Sequence, residues 1–356
     1  MNPAEPLSDP IRRRPTAPVQ RRRRGRRWGR VVGLVVGVPL VLLVVLGLVG
    51  TGYQAVATAR DRRAFPAPGR LVDVGGYALH LHCQGEGTPA VVLDASQPAT
   101  VSSWVHLQPI VAERTRVCAY DRAGAGWSER GDRPRDMAAM ADELAALLAA
   151  AQEPGPYLLV GHSWGGGVVR LLAARPGADV AGVVLVEAFH PDGFTRRGLP
   201  DSTLGGIPDA QAAALPAAGT LGITRLVPSL LADRAEVPGL PARQRAELRA
   251  YLSSPMAAGY LLDVERALPA TQAALRAAPP LGDLPVAVVI GDASDNATGV
   301  GLELMREHLR LSTRAAEHHV AGADHSSLVH DPAHARVTAG IVLDLAAVVS
   351  RSTGSE

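Results

Sequence analysis

Lysine is missing from this chain of 356 residues, and all 36 basic positions are arginine. With 37 glycines and 28 prolines alongside, the absence marks a compositional bias and carries no function. Cysteine is scarce as well. Two cysteines cannot supply paired Cys-x-x-Cys ligands, and no His-Glu-x-x-His pattern occurs, so no metal site and no cofactor is expected. Aromatic residues make up only 4%, which leaves Leu, Val and Ala to fill the core. A hydrophobic content of 47% over this length supports one large domain with an appendage.

Charge is unevenly placed. Residues 1–30 hold ten arginines against Glu5 and Asp9, a local charge of +8, so the remainder of a chain with net +2 is at −6. A basic tail can bind nucleic acid, but residues 31–50 point elsewhere. They read VVGLVVGVPLVLLVVLGLVG, twenty residues without a charge. At ~1.5 Å per residue this run crosses a hydrocarbon layer of ~30 Å. Arginines precede it, and Trp28 and Tyr53 flank it, as at membrane interfaces. The positive-inside rule then puts residues 1–30 in the cytoplasm as a disordered tail and everything after Gly50 outside. A cleaved signal is the competing reading, with a site near Ala57. Residues 51–70, with Pro66 and Pro68, read as a short tether.

The remaining chain alternates strand and helix patterns. Strands are expected at 71–76, 77–83, 90–94, 115–120, 157–160, 183–186, 286–290 and 317–320, and helices at 135–152, 163–175 and 332–349. That rhythm means a mostly parallel sheet with helices on both faces. Residues 191–280 break it, being rich in Ala, Leu and Pro with helical patches and no strand. At the junction of a strand and a helix stands Gly161-His162-Ser163-Trp164-Gly165. A serine between small residues at such a turn is pushed clear of the sheet, a nucleophile elbow. Glycine is required at 161 and 165 because the turn leaves no room for side chains.

Over residues 71–350 the chain resembles the α/β-hydrolase family. The elbow at Ser163, the stretch Tyr120-Asp121-Arg122-Ala123-Gly124-Ala125-Gly126-Trp127-Ser128 and the late Gly322-Ala323-Asp324-His325 carry the resemblance. It implies an α/β-hydrolase fold with an eight-stranded, mostly parallel sheet in the order 1-2-4-3-5-6-7-8, and a helical lid at 191–280. It also implies a Ser, acid, His order of catalytic residues, with Ser163 as nucleophile and His325 as base. In most members the acid follows the strand at 286–290. Asp295 has the better loop position there, and Asp292 is nearer the strand end. Some members place the acid one strand earlier, which is Glu187 here. The oxyanion donors would be the N–H groups of Trp164 and of Gln97, with Ser96 as the alternative to Gln97, where this sequence departs from the family's usual His-Gly. The implied sheet order makes the strands of Cys83 and Cys118 neighbours, so a disulfide outside the cytoplasm and a pair of free buried thiols both stay open. The expected activity is hydrolysis of a small-molecule or lipid ester by a membrane-anchored serine esterase, since a serine excludes the alkyl-enzyme chemistry of related dehalogenases and epoxide hydrolases. A proline iminopeptidase-like enzyme and an inactive binding protein of the same fold are the alternatives.

Overall fold

The computed structural model describes residues 22–205 and 207–353. The chain divides into two units, Met1–Val49 and Gly50–Glu356. Most of the expected cytoplasmic tail, residues 1–21, lies outside the described residues. From Arg22 the chain is already helical, and α1 runs Arg22–Ala64 through Pro39. Within the first unit the apolar side chains from Val31 to Val49 are exposed, Leu43 and Leu48 among them.

The expected tether is a correction. Residues 51–64 continue α1 as helix, because no proline interrupts them before Pro66 and the stretch is rich in alanine and arginine. This part belongs to the second unit and packs there. Gln54 is buried and its amide donates to the Ser253 carbonyl at 3.0 Å, while Arg225 pairs with Asp61 at 2.6 Å.

The second unit is built on one eight-stranded sheet. Its strands are β1 (Arg70–Asp73), β2 (Ala78–Gln84), β3 (Ala90–Asp94), β4 (Val117–Tyr120), β5 (Tyr157–His162), β6 (Val180–Val186), β7 (Val286–Gly291) and β8 (Ala315–Val320). They lie in the order β1-β2-β4-β3-β5-β6-β7-β8, the order implied by the family resemblance. The β1 and β2 pairings are antiparallel and the rest parallel. Strands β3, β5 and β7 are buried along almost their whole length, as strands covered on both faces must be. In the β2–β4 register Cys83 stands directly opposite Cys118, and the two form a disulfide.

Helices α2 (Met137–Ala151), α3 (Trp164–Ala173) and α8 (Pro332–Thr353) cover the sheet. Asp136 caps α2 by accepting from the Ala139 N–H at 3.0 Å. Between β6 and β7 the chain leaves the sheet and forms the lid. Its principal helices are α4 (Asp209–Thr220), the four-residue α5 (Ile223–Leu226), α6 (Ala242–Leu252) and α7 (Pro255–Ala277).

Candidate active site

Ser163 sits between β5 and α3 with φ 53° and ψ −115°. A non-glycine residue is driven into that region only when its surroundings leave no alternative. Those surroundings are backbone. A Cβ on Gly161 would lie 2.5 Å from the Gly165 carbonyl carbon, and one on Gly165 would lie 2.1 Å from the Asp94 carbonyl oxygen. Glycine at both positions lets β5, the first turn of α3 and the end of β3 close on one another. Trp164, the first residue of α3, has no carbonyl four residues back within the helix to accept its N–H.

Glu187 immediately follows β6. It too has positive φ, 39°, and it is buried. Its carboxylate accepts from the Gly291 N–H at 2.9 Å, the Ser294 hydroxyl at 2.8 Å and the Asn296 side-chain amide. The fourth partner is His325, whose Nδ1 lies 2.7 Å from Glu187 Oε2. A carboxylate only accepts, so Nδ1 carries the proton and Nε2 is left as the acceptor. Burial pushes the Glu187 carboxyl up, but His325, the Gly291 N–H and Asn296 together outweigh it and hold the group below its ordinary range.

This arrangement corrects the first choice of acid. Nδ1 of His325 is taken by Glu187, not by Asp295 or Asp292. Asp295 opens a short turn after β7 and is exposed at the cavity described below. Asp292 lies 2.7 Å from His319 Nδ1 on the exposed edge of the sheet. The physical reason is the place of β6 between the strand of Ser163 and β7. Glu187 leaves the end of β6, beside β5 and Ser163, whereas the turn after β7 supplies Ser294 and Asn296 as donors to Glu187 in place of a carboxylate. Ser294 and Asn296 are residues that the sequence reading missed, and nothing in their local pattern marks them.

Ser163, Glu187 and His325 line one cavity of about 620 Å3. Phe189, Leu304 and Met305 add apolar walls from the body of the domain, and the lid adds Phe194, Arg197, Leu199 and Pro238. Among the described residues no hydrogen bond joins Ser163 to the His325 ring. The two are nonetheless held close through a neighbour. His162, one residue before Ser163, contacts the His325 carbonyl through Nε2 at 2.9 Å, and the two rings are centred 4.8 Å apart. Burial pushes the His162 imidazole well below its usual range, so it is neutral and donates from Nε2 to that carbonyl.

The expected oxyanion region is braced from below. Arg122 donates to Asp94 and to the Ala95 carbonyl, and Tyr120 donates to Asp94 at 2.9 Å. Burial lowers the Arg122 guanidinium, but the Asp94 carboxylate outweighs it and keeps Arg122 protonated, while burial pushes the Asp94 carboxyl up against the pull of Arg122 and Tyr120. Asp121 accepts from the Val101 N–H at 2.9 Å and lies 2.8 Å from His80 Nδ1. These bonds fix the chain leaving β3, which carries Gln97, against the start of α3. The side-chain amide of Gln97 has no partner among the described residues. Trp164 is buried and meets Phe189 in a tilted ring contact with centroids 5.0 Å apart, which places its ring in the core behind the cavity wall. Asp324 accepts from the N–H groups of Ser326 and Ser327, so it caps the loop of His325 and does not orient the ring.

The profile of the alpha/beta hydrolase fold matches residues 89–330, and the chain belongs to that family. A 2-hydroxymuconate semialdehyde hydrolase of Pseudomonas sp. (strain CF600) is 33% identical over 124 residues, 34% of this chain and 44% of that protein. The chain spans less than half the length of the curated relatives it matches. Among solved structures, a bromoperoxidase from Bacillus anthracis superimposes with TM-score 0.59 at 21% identity, covering 78% of this chain and 98% of that one. An epoxide hydrolase, CorEH, does so with TM-score 0.60 at 19% identity, covering 79% and 98%. Relatives of known activity that are hydrolases support an enzyme of this superfamily.

Proposed function

We propose that this chain is a serine hydrolase of carboxylic esters, with Ser163 as nucleophile, His325 as base and Glu187 as the carboxylate that orients it. The carrying observation is the Glu187–His325 bond of 2.7 Å on the wall of the cavity that Ser163 also lines. Both Ser163 and Glu187 are kept at positive φ, a strain that clusters where geometry serves chemistry.

In the reaction the His325 ring swings onto Ser163, a contact that tightens when substrate is bound. Nε2 takes the hydroxyl proton as Oγ attacks the ester carbonyl, and the negative charge moves to the carbonyl oxygen. The N–H groups of Trp164 and Gln97 are the donors assigned to that oxygen. As the intermediate collapses, His325 delivers the proton to the departing alkoxide, and an acyl-enzyme remains on Ser163. Water, deprotonated by His325, then releases the acid and restores the serine. Glu187 stabilises the imidazolium in both halves and keeps Nε2 aimed at the cavity.

The segment 31–50 is read as a membrane span with residues 1–30 cytoplasmic and the second unit outside. Its exposed apolar side chains support that reading, as does the disulfide between Cys83 and Cys118, a bond of oxidising compartments. An amine-recognising peptidase is less well supported. It needs lid carboxylates in the cavity, and among the described residues Asp201, Asp209, Asp233 and Glu236 do not line it, while Arg197 does.

The test is hydrolysis of a short-chain nitrophenyl ester by the full chain, together with fluorophosphonate labelling. Ser163→Ala should lower kcat by about 10³-fold or more and abolish labelling. Undiminished turnover in that variant refutes the assignment of Ser163, whereas no turnover and no labelling in the unaltered chain favour a binding protein of the same fold.

A further inference from the structure

The lid carries an apolar face turned away from the core. In α5, Thr224 is fully buried and its hydroxyl donates to the Ser253 carbonyl at 3.0 Å. Ile223 and Leu226, spaced i and i+3, therefore share the other side, and with Val227 just past the helix end they are 39%, 67% and 43% exposed. The C-terminal part of α1 lies beside them within the same unit. Gly50 passes so close to Leu221 that a Cβ there would meet its carbonyl oxygen at 2.5 Å. The Tyr53 ring stands 3.0 Å from where a Cβ of Gly222 would be. Gln54 shares the Ser253 carbonyl with Thr224, and Arg225 is tied to Gln54 and Asp61. Exposed Tyr53 and Val56 continue the apolar face onto α1.

We infer that this face docks on the surface of a lipid bilayer, with Ile223, Leu226 and Val227 entering the boundary between headgroups and acyl chains. The inference rests on the reading of residues 31–50 as a membrane span. Chain connectivity selects the occupant. The face starts at Gly50, the residue at which the charge-free run ends, so the apolar phase holding that run is the one brought to it. Tyrosine suits the headgroup level, where its ring is apolar and its hydroxyl is wet. The exposed cations Arg60, Arg62 and Arg63 follow about 15 to 20 Å further along the helix at ~1.5 Å per residue. That distance keeps them clear of the hydrocarbon. An apolar face on a surface element beside an anchor adds shallow burial that needs no second span.

The experiment uses the full chain in vesicles of phosphatidylcholine and phosphatidylglycerol, with the native cysteines held in their disulfide. Leu226→Cys, Val337→Cys and Leu42→Cys each carry an environment-sensitive nitrobenzoxadiazole dye, and lipids bearing a nitroxide high on the acyl chain quench it. Val337 is exposed on α8, and Leu42 lies in the proposed span. The Leu226 dye should be blue-shifted and quenched about twofold or more beyond the Val337 dye. Equal quenching at Leu226 and Val337 overturns the docking, and if the Leu42 dye is still quenched the span survives that result. An unquenched Leu42 dye removes the span instead, and quenching at Leu226 then decides the docking separately. A blue shift at Leu226 without quenching, lost as the protein is diluted in lipid, shows a second copy covering the face and also overturns it.

Discussion

Glu187 is held by four donors while its backbone stays in a conformation glutamate rarely adopts. The donors keep the carboxylate charged in a buried site, and the charge fixes the His325 tautomer. Glu187→Gln keeps the shape but removes the charge, so kcat on a nitrophenyl ester should fall by about 10³- to 10⁴-fold. Asp295→Asn, tested in the same assay, should stay within about threefold, because His325 does not bond to Asp295. The contrast decides between the two carboxylates directly. Asn296→Ala removes one donor to a buried charge and should cost about tenfold in kcat with little change in KM. In all three variants an unchanged circular dichroism spectrum excludes unfolding as the cause.

At the scale of elements, the elbow depends on close backbone approach. Gly165→Ala would push a methyl to 2.1 Å from the Asp94 carbonyl, and backbone on both sides cannot yield cheaply. The variant should lose about 3 kcal/mol of stability and most of its activity, measured by urea unfolding and ester turnover. The disulfide joins β2 to β4 across a sequence separation of 35 residues. Replacing both cysteines by alanine releases that loop in the unfolded chain and should cost about 3–4 kcal/mol in the same unfolding experiment. Activity at low urea should persist, because the bond lies away from the residues lining the cavity.

Across the whole molecule, buried neutral histidines set the response to acid. Burial holds His330 at about 4 and His308 at about 3, and it holds His162 well below its usual range. In the unfolded chain each titrates near ~6.5. Below that pH the unfolded state binds protons that the folded state refuses, so stability must fall as pH falls. Glu187 acts in the same sense lower down, since its depressed carboxyl must be protonated on acid unfolding while its bonds are lost. His330 alone accounts for a loss on the order of 3 kcal/mol between pH 6.5 and 4. Urea midpoints should therefore drop steadily from pH 7 to pH 5, and His330→Asn should make that decline shallower.

Local pattern was enough for the parts of this protein that are local. Apolar runs with turn residues between them located the eight strands, the glycines around Ser163 announced a tight turn, and the charge-free run at 31–50 declared its helix. Position after a strand was enough to name His325 as the proposed base. What pattern could not carry was which distant segments meet. The choice of Glu187 over Asp295 depends on which carboxylate meets the His325 ring, and the donors Ser294 and Asn296 matter only because β7 lies beside β6. The helix of residues 51–64 looked like a tether because its single buried polar group, Gln54, finds its partner some two hundred positions away. Hydrophobic periodicity is written residue by residue, whereas the satisfaction of a buried charge or amide depends on groups that only the folded chain brings together.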